Sequence, residues 1–172
     1  MYMTKTILLG AALGLSLAGA QAGDWGNWRG PNYDGSTDAK DLPTKFSKTE
    51  NVLWSVKMDG PSAATPVIWG DNVFVSSSNQ EKERLSANCY DRKTGALKWS
   101  HQVAKGFRQD NRSNYASPSP VTDGQVVTFF YGGGELATFN MDGDKLWELN
   151  LQKKHGEFAF LWTFSTSPLI HD

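Results

Sequence analysis

The ten residues Tyr90-Asp91-Arg92-Lys93-Thr94-Gly95-Ala96-Leu97-Lys98-Trp99 contain, in compact form, a unit that the rest of the chain repeats more loosely. An apolar run leads into a polar turn, and a second run leaves the turn toward Trp99. Asp91 and Thr94 carry short side chains whose oxygens can accept hydrogen bonds from the amides of a turn, and Gly95 can adopt the positive φ that branched residues resist. The stretch therefore predicts a β-hairpin with a Trp on its outgoing strand.

A Trp recurs along the chain at nearly constant intervals. Trp54, Trp99 and Trp147 are separated by 45 and 48 residues. A Ser-Pro or Thr-Pro pair that opens an apolar run recurs with a similar period, at 65–66, 119–120 and 167–168. Four short strands in a unit of this length are typical of a β-propeller blade, although a β-sandwich also has strands at such spacing. A large ring at one fixed place in each unit favours the propeller, because it indicates packing of each unit on the next.

Two motifs resemble those of a known family. Asp-x-x-Thr-Gly-x-x-x-Trp at 91–99, with the Ser-Pro strand starts, is similar to the repeat of pyrroloquinoline quinone (PQQ)-like β-propeller proteins. Trp-Gly-Asn-Trp-Arg-Gly-Pro at 25–31 resembles the opening of the secreted bacterial branch of that family. The resemblance covers residues 24–172 and implies an all-β fold of four-stranded antiparallel blades. It implies little about activity, because the repeat motif holds blades together.

Three segments are predicted along the chain. Residues 1–22 have a short start with Lys5, an apolar stretch and Ala-Gln-Ala before Gly23, which is typical of a secretory signal peptide. Residues 23–50 are predicted as an irregular lead that lies over the propeller, held by Trp25 and Trp28. Residues 51–172 are predicted as a partial propeller. The mature product is expected to be exported, either periplasmic or extracellular, and to have no membrane span once the signal is removed.

The partial propeller is predicted to hold two full blades, at 63–103 and 116–150. An orphan strand is expected at each end, at 51–58 and 165–170. Because a propeller ring typically needs about four to eight blades, we expect the chain to be the amino-terminal fragment of a longer protein. The remaining blades of that protein would then be its first partners.

Loop lengths indicate where a site could lie. The connections from Trp99 to Pro120 and from Trp147 to Pro168 are longer than that from Trp54 to Pro66. They are expected to project from one face of the propeller, and rigidly held loops of this kind are the usual location of recognition residues. The residues predicted to form a binding face are Arg108, Asn111, Arg112, Tyr115, Lys153, His155 and Trp162. The competing interpretation is that the aromatic residues cap the blade ends and the charges are merely solvated.

Recognisable catalytic, cofactor-binding and metal-binding signatures were not found in the sequence. The three glycines at 132–134 are not followed by Gly-Lys-Ser/Thr and are predicted to form a tight hairpin rather than a phosphate loop. The three His residues are far apart along the chain and lack close His or Cys companions. Cys89 is the only cysteine, and its place in a central strand predicts a buried, unreactive side chain. The formal net charge of −1 gives no nucleic-acid footprint.

Three functions remain open at this level. The first is a non-catalytic exported propeller that binds a protein or polymer partner, like the scaffold members of the family, and uses no cofactor. The second is the amino-terminal part of a PQQ-dependent quinoprotein dehydrogenase, for which the resemblance implies PQQ and calcium on the propeller axis and an adjacent Cys pair that this chain lacks. The third is a polysaccharide-binding propeller, suggested by Phe158, Phe160 and Trp162.

Overall fold

The computed structural model describes residues 23–40, 42–159 and 161–171, so the predicted signal peptide at 1–22 lies outside the described residues. This part of the chain forms two four-stranded antiparallel sheets, with strand orders β1-β2-β3-β4 and β5-β6-β7-β8. The elements are β1 (Val67–Trp69), β2 (Asn72–Asn79), β3 (Arg84–Asp91), β4 (Leu97–Lys105), β5 (Val121–Thr122), β6 (Val126–Phe130), β7 (Glu135–Asn140), β8 (Lys145–Asn150) and the short helix α1 (Leu151–His155). We call β1–β4 blade 1 and β5–β8 blade 2. The prediction of two full blades is confirmed.

The hairpin between β3 and β4 forms as its sequence predicts. The Asp91 carboxylate accepts hydrogen bonds from the amides of Lys93 and Thr94, at 3.0 and 2.9 Å, and from the Thr94 hydroxyl at 2.9 Å. Gly95 has φ +73°, which a side chain would resist. The Asp91 carboxylate and the positive φ of Gly95 therefore determine the shape of the turn.

The corresponding turn of blade 2 uses a neutral acceptor. The Asn140 side-chain oxygen accepts from the amides of Asp142 and Asp144, at 3.1 and 2.8 Å. Gly143 takes the place of Gly95, with φ +97°. Each turn thus combines one side-chain acceptor with one glycine of positive φ, although the acceptor is ionisable in blade 1 and is an amide in blade 2.

The core lies between the facing sheets of the two blades. Every second residue of the central strands points into it, as the pleat of a β-strand requires. The fully buried members are Val67, Phe74, Leu85, Ala87, Cys89, Ala116, Val127, Phe129, Tyr131, Ala137 and Phe139. Burial raises the pKa of the Cys89 thiol to about 12, so this side chain behaves as the small apolar residue that the sequence predicts.

Each of two tryptophans packs on the glycine turn of the next unit. The Trp54 indole nitrogen donates to the carbonyl of Arg92 at 2.8 Å, and a Cβ on Gly95 would lie 2.6 Å from the Trp54 ring. The Trp99 nitrogen donates to the carbonyl of Met141 at 3.2 Å, and a Cβ on Gly143 would lie 2.7 Å from its ring. The recurring Trp therefore joins successive units, as the spacing predicts.

The recurring Ser-Pro marker also joins successive units. The Ser119 hydroxyl oxygen accepts from the amide of Thr65 at 2.9 Å, and the Ser167 hydroxyl oxygen accepts from the amide of Ser119 at 3.0 Å. Each hydroxyl thus ties the start of one unit to the start of the next. The period of the marker reflects a chain of hydrogen bonds that links the inner ends of the units.

The amino-terminal lead binds the inner edge of both blades. Trp25 exchanges two main-chain hydrogen bonds with Ile68 of β1, at 2.8 and 2.9 Å, and the carbonyl of Gly26 accepts from the amide of Thr122 in β5 at 2.8 Å. Trp25 is therefore held in place as expected. Trp28 differs from expectation, because its side chain is 52% exposed.

The segments predicted as orphan strands belong to neither sheet. Residues 51–58 and 165–170 have no strand pairing within the described residues. Trp54 and Met58 nevertheless pack against a small buried cluster of Val73, Val75 and Tyr90 on the outer side of blade 1. The first segment is therefore attached through side chains rather than through a hydrogen-bonded ladder.

Candidate functional site

Two long connections lie at the same end of the blades. Asn79 of β2, Arg84 of β3 and Lys105 of β4 are in register, so the segment that follows β4 leaves from the end opposite the 91–95 turn. The first connection covers residues 106–120, and the second begins with α1 and continues to residue 170. We call this end of the molecule the loop face.

Asp110 ties the two connections together. Its carboxylate accepts from the amide of Thr163 at 2.9 Å, across 53 residues of sequence, and from the amides of Arg112 and Ser113 at 2.9 and 2.8 Å. The Ser113 hydroxyl adds a further contact at 3.0 Å. These donors, the Thr163 amide first, hold the pKa of Asp110 well below its usual range. The anchor is therefore ionised throughout the neutral range.

Arg108 provides a second tie between the connections. Its guanidinium donates to the carbonyl of Leu161 at 2.6 Å, and its own carbonyl accepts from the amide of Tyr115 at 3.1 Å. Arg108 is exposed and yet has a structural contact. A substitution here would alter the loop geometry as well as the surface charge.

An open groove of about 1060 Å³ runs between the two connections. It is lined by Trp28 from the lead, by the turn at 110–113 and by residues 161–167. We call it the recognition groove. Three large apolar side chains on its walls are exposed, Trp28, Leu161 and Trp162, the last two to 86% and 68%. Apolar side chains grouped in this way mark a surface that can bind a partner.

The structure brings together three of the seven predicted binding-face residues. Asn111, Arg112 and Trp162 line the recognition groove. Arg108 reaches its edge through Leu161. Tyr115 instead packs against the core.

The other two predicted residues lie on α1. Lys153 and His155 are exposed in its last turn and do not line the groove. Asn150 caps the start of the helix, and its side chain accepts from the amide of Lys153 at 2.9 Å. These two residues belong to the loop face but to a separate part of it.

Trp28 and Thr163 are among the groove residues that were not assigned from the sequence. Trp28 lies in the lead, and no local spacing connects it with loops that follow more than eighty residues later. Thr163 is only 4% exposed, and its hydroxyl has no hydrogen-bond partner among the described residues. A buried threonine without a partner has no signature in the sequence, because threonine is common in any β protein.

The aromatic residues of the second connection have different roles. Phe158 stacks on Phe164 with ring centroids 4.6 Å apart, and Phe164 meets Phe130 of β6 edge to face at 5.7 Å. Phe160 lies outside the described residues. Of the three aromatic residues that suggested a polysaccharide platform, Phe158 is therefore engaged within the protein, and Trp162 is exposed.

The inner edge of blades 1 and 2 is covered by the main chain of the lead. The lead occupies the edges of β1 and β5, and it packs so closely that a Cβ on Gly26 would lie 2.6 Å from the carbonyl oxygen of Thr122. No three His, Cys, Asp or Glu side chains of the described ranges are grouped closely enough to hold a metal ion. No chemical step is therefore assigned to PQQ or calcium.

The three glycines at 132–134 form the predicted hairpin between β6 and β7. The amide of Gly134 donates to the carbonyl of Tyr131 at 2.8 Å, and Gly134 has φ +92°. Glu135 follows this turn, and burial raises the pKa of its carboxyl group. In the part of the chain that the structure describes, no helix is both long and apolar enough to cross a bilayer.

Fold and repeats define a class, the β-propellers built from PQQ-like repeats. Residues 37–171 match the protein family described as outer membrane protein assembly factor BamB, and the chain belongs to this family. The solved structure of BamB from Moraxella catarrhalis is similar at 21% sequence identity and a TM-score of 0.43, over 57% of this chain and 26% of that one. The chain thus spans about a quarter of the length of that relative. A comparison with curated proteins gives no match.

Proposed function

We propose that this protein is an exported, non-catalytic β-propeller module that binds a protein partner through its loop face. The observation that carries the proposal is the recognition groove, whose exposed apolar walls are held by Asp110 and Arg108 on a rigid pair of blades. Membership of the assembly-factor family supports a binding role, because the name of that family describes assembly rather than a reaction. The proposal needs no cofactor.

Photo-crosslinking of the intact protein in the cells that make it would test the binding face. A photoreactive phenylalanine analogue at Asn111, which is exposed on the groove, should give an adduct with one protein. The same analogue at Lys93, exposed in the turn at the opposite end of blade 1, is the matched control. Equal adducts at the two positions, or none at Asn111, would overturn the proposal.

Export has a separate test. If residues 1–22 are a cleaved signal, the mature protein should start at Gly23 and be recovered outside the cytoplasm. Amino-terminal sequencing of the purified native protein gives the answer directly. An intact amino terminus on cytoplasmic material would contradict this part of the proposal.

A further inference from the structure

We propose that a pocket at the turn end of the blades is a site for an ammonium group, and that its ligand is the chain's own amino terminus at Gly23 once residues 1–22 are removed. This inference rests on the export part of the proposed function and gives signal cleavage a structural consequence. It follows from the position of Gly23, from the charge of the pocket and from the anchoring of the residues that follow Gly23.

An open pocket of about 760 Å³ lies at the end of the blades that carries the 91–95 turn. We call it the amino-terminal pocket. It shares no lining residue with the recognition groove. Its walls come from the lead, from the ends of the innermost strands at Trp69 and Thr122, and from Ile170. Gly23 itself lines the pocket, so the cleavage site predicted from the sequence lies at its wall.

The charged side chains on the described walls of this pocket are all acidic. They are Asp24 and Asp38 of the lead and Asp123, which follows β5. Lysine, arginine and histidine are absent from the described lining, so its formal charge is −3 from these three aspartates. The remaining titratable group on the walls is Tyr33, which is neutral at pH 7. A small cation is therefore the charge complement of the pocket.

The main chain next to Gly23 is fixed to blade 1. Trp25 exchanges two main-chain hydrogen bonds with Ile68. The Asp24 carboxylate accepts from the amide of Gly70 at 2.7 Å. Because consecutive Cα atoms are about 3.8 Å apart, these contacts keep the nitrogen of Gly23 at the pocket. A Cβ on Gly23 would meet no atom within 4 Å, so the amino group has room to turn toward the carboxylates.

The carboxylate on the opposite wall is also held in place. One oxygen of Asp123 accepts from the amides of Gln125 and Val126, both at 2.9 Å. These contacts orient the side chain through that oxygen, and the carboxylate has a second oxygen with which to accept from another donor. An ammonium group has three N–H donors, and hydrogen bonds between two charged groups are stronger than neutral ones.

Signal cleavage changes the charge of the Gly23 nitrogen. In the uncut chain this nitrogen belongs to a neutral peptide bond. Hydrolysis of that bond consumes one water molecule and leaves a carboxylate on Ala22 and an amino group on Gly23. The ordinary pKa of such an amino group is about 8, so it is mostly protonated at neutral pH. The cleaved chain therefore brings into the pocket a cation that the uncut chain lacks, and this contact should hold the lead more firmly.

The first test measures the pKa of the Gly23 amino group in protein that has been exported and cleaved. Glycine labelled with ¹³C at Cα gives a Gly23 signal that titrates with its own amino group. This pKa should lie about half a unit above that of a free peptide with the sequence of residues 23–28, since exposed carboxylates contribute a few tenths each. The peptide contains Asp24 but lacks the rest of the pocket. About 1 M sodium chloride should remove most of the difference.

Substitutions in the walls separate the pocket from the surrounding charge. Asp123→Asn keeps an acceptor for the Gln125 and Val126 amides and removes the charge, and it should lower the Gly23 pKa by about 0.2. Asp38→Asn should have a similar effect. Asp142→Asn, which alters an exposed acid outside the pocket, is the matched control and should leave this pKa unchanged.

The second test measures how firmly the lead is held. One Ala inserted before Gly23 moves the amino group about 3.6 Å along the chain. Hydrogen exchange of the Trp25 amide should then become about threefold faster at pH 7, whereas exchange of the Tyr131 amide in the 132–134 hairpin should not change. Because the folded pKa of the amino group is the higher one, the added protection is complete below the ordinary value near 8 and is lost as the pH rises through the folded value.

Three results would overturn the inference: a Gly23 pKa equal to that of the free peptide, no change of this pKa in either Asp123→Asn or Asp38→Asn, or equal exchange of the Trp25 amide with and without the inserted Ala. If the exported protein does not start at Gly23, the export part of the proposed function falls. Protein released with Gly23 as its first residue by a tag protease then still tests the pocket. If Gly23 titrates like the free peptide in correctly cleaved protein, export stands and this inference falls.

Discussion

Trp99 and Trp147 hold the same position in successive blades, but their surroundings differ. Trp99 pairs across the sheet with Cys89, and Trp147 pairs with Thr138. The Trp99 ring lies 5.5 Å from the ring of Phe139 in blade 2, and its nitrogen is hydrogen-bonded. Trp147 is 47% exposed. The comparison indicates that the recurring indole stabilises the junction with the next unit rather than the blade that carries it.

The largest expected effect comes from truncating the two rings. Trp99→Ala should lower the free energy of unfolding by about 3 kcal/mol, since it opens a cavity between the blades. Trp147→Ala should change it by less than about 1 kcal/mol, because the ring is half exposed. Urea denaturation of both variants measures the contrast. Trp99→Phe should fall between them, and equal losses at the two sites would break the comparison.

A smaller effect is expected from filling the glycine turn beneath Trp99. Gly143→Ala should cost about 2 kcal/mol, because φ is +97° and the new Cβ would lie 2.7 Å from the ring. Gly70→Ala is the control, with φ +55° and no atom within 4 Å of the new Cβ, and it should cost about 1 kcal/mol. Thermal melts of both proteins test this ranking. If Gly70→Ala lowers the stability as much as Gly143→Ala does, then the contact with Trp99 is not the reason why position 143 requires glycine.

The hydrogen bond of the docked indole should contribute less again. Trp54→Phe keeps an aromatic ring on Gly95 but loses the donor to the Arg92 carbonyl, which should cost about 1 kcal/mol. Trp147→Phe should have almost no effect on the same measurement. Chemical denaturation with a matched Trp99→Phe variant shows whether both docked indoles behave alike. If Trp147→Phe lowered the free energy of unfolding as much as Trp54→Phe does, the indole hydrogen bond would not account for the difference between docked and exposed tryptophans.

The smallest expected effect is a pH dependence that differs between the two docked indoles, Trp54 and Trp99. The Thr94 hydroxyl, followed by the Thr94 amide, lowers the pKa of Asp91 from its ordinary value of 3.8. Because the folded pKa is the lower one, the stabilisation is complete above the ordinary value and is lost as the pH falls below about 4. The turn under Trp99 is held by Asn140, which does not ionise.

Acid should therefore loosen Trp54 before Trp99. The indole N–H resonances in a proton–nitrogen NMR spectrum report each ring separately. The Trp54 signal should shift only as the pH falls below about 4, where Asp91 of the folded protein begins to be protonated, and the Trp99 signal should not shift in that range. Asp91→Asn should abolish the difference. Parallel shifts of both signals in the unmodified protein would contradict this assignment.

Sequence spacing predicted the contacts that repeat, because each repeat places the same atoms together. Trp54 and Trp99 reach Gly95 and Gly143, as the period requires. The bounds of the two blades follow from the same period.

Contacts that occur once could not be predicted in this way. Arg108 and Arg112 are four residues apart and of one type, yet Arg108 donates to the Leu161 carbonyl and Arg112 faces the groove. Phe158 and Trp162 looked alike as aromatic loop residues, but only Trp162 is exposed. Such differences depend on where distant segments meet, and neither residue type nor spacing records that.

The position of Cys89 makes the protein carry its own reporter of internal opening. It is the only thiol in the chain, it is fully buried in the core between the blades, and its pKa of about 12 leaves almost no thiolate at neutral pH. An alkylating reagent can therefore reach it only during excursions in which the two sheets separate. The rate of alkylation under native conditions would therefore measure how often the sheets separate, without any added label.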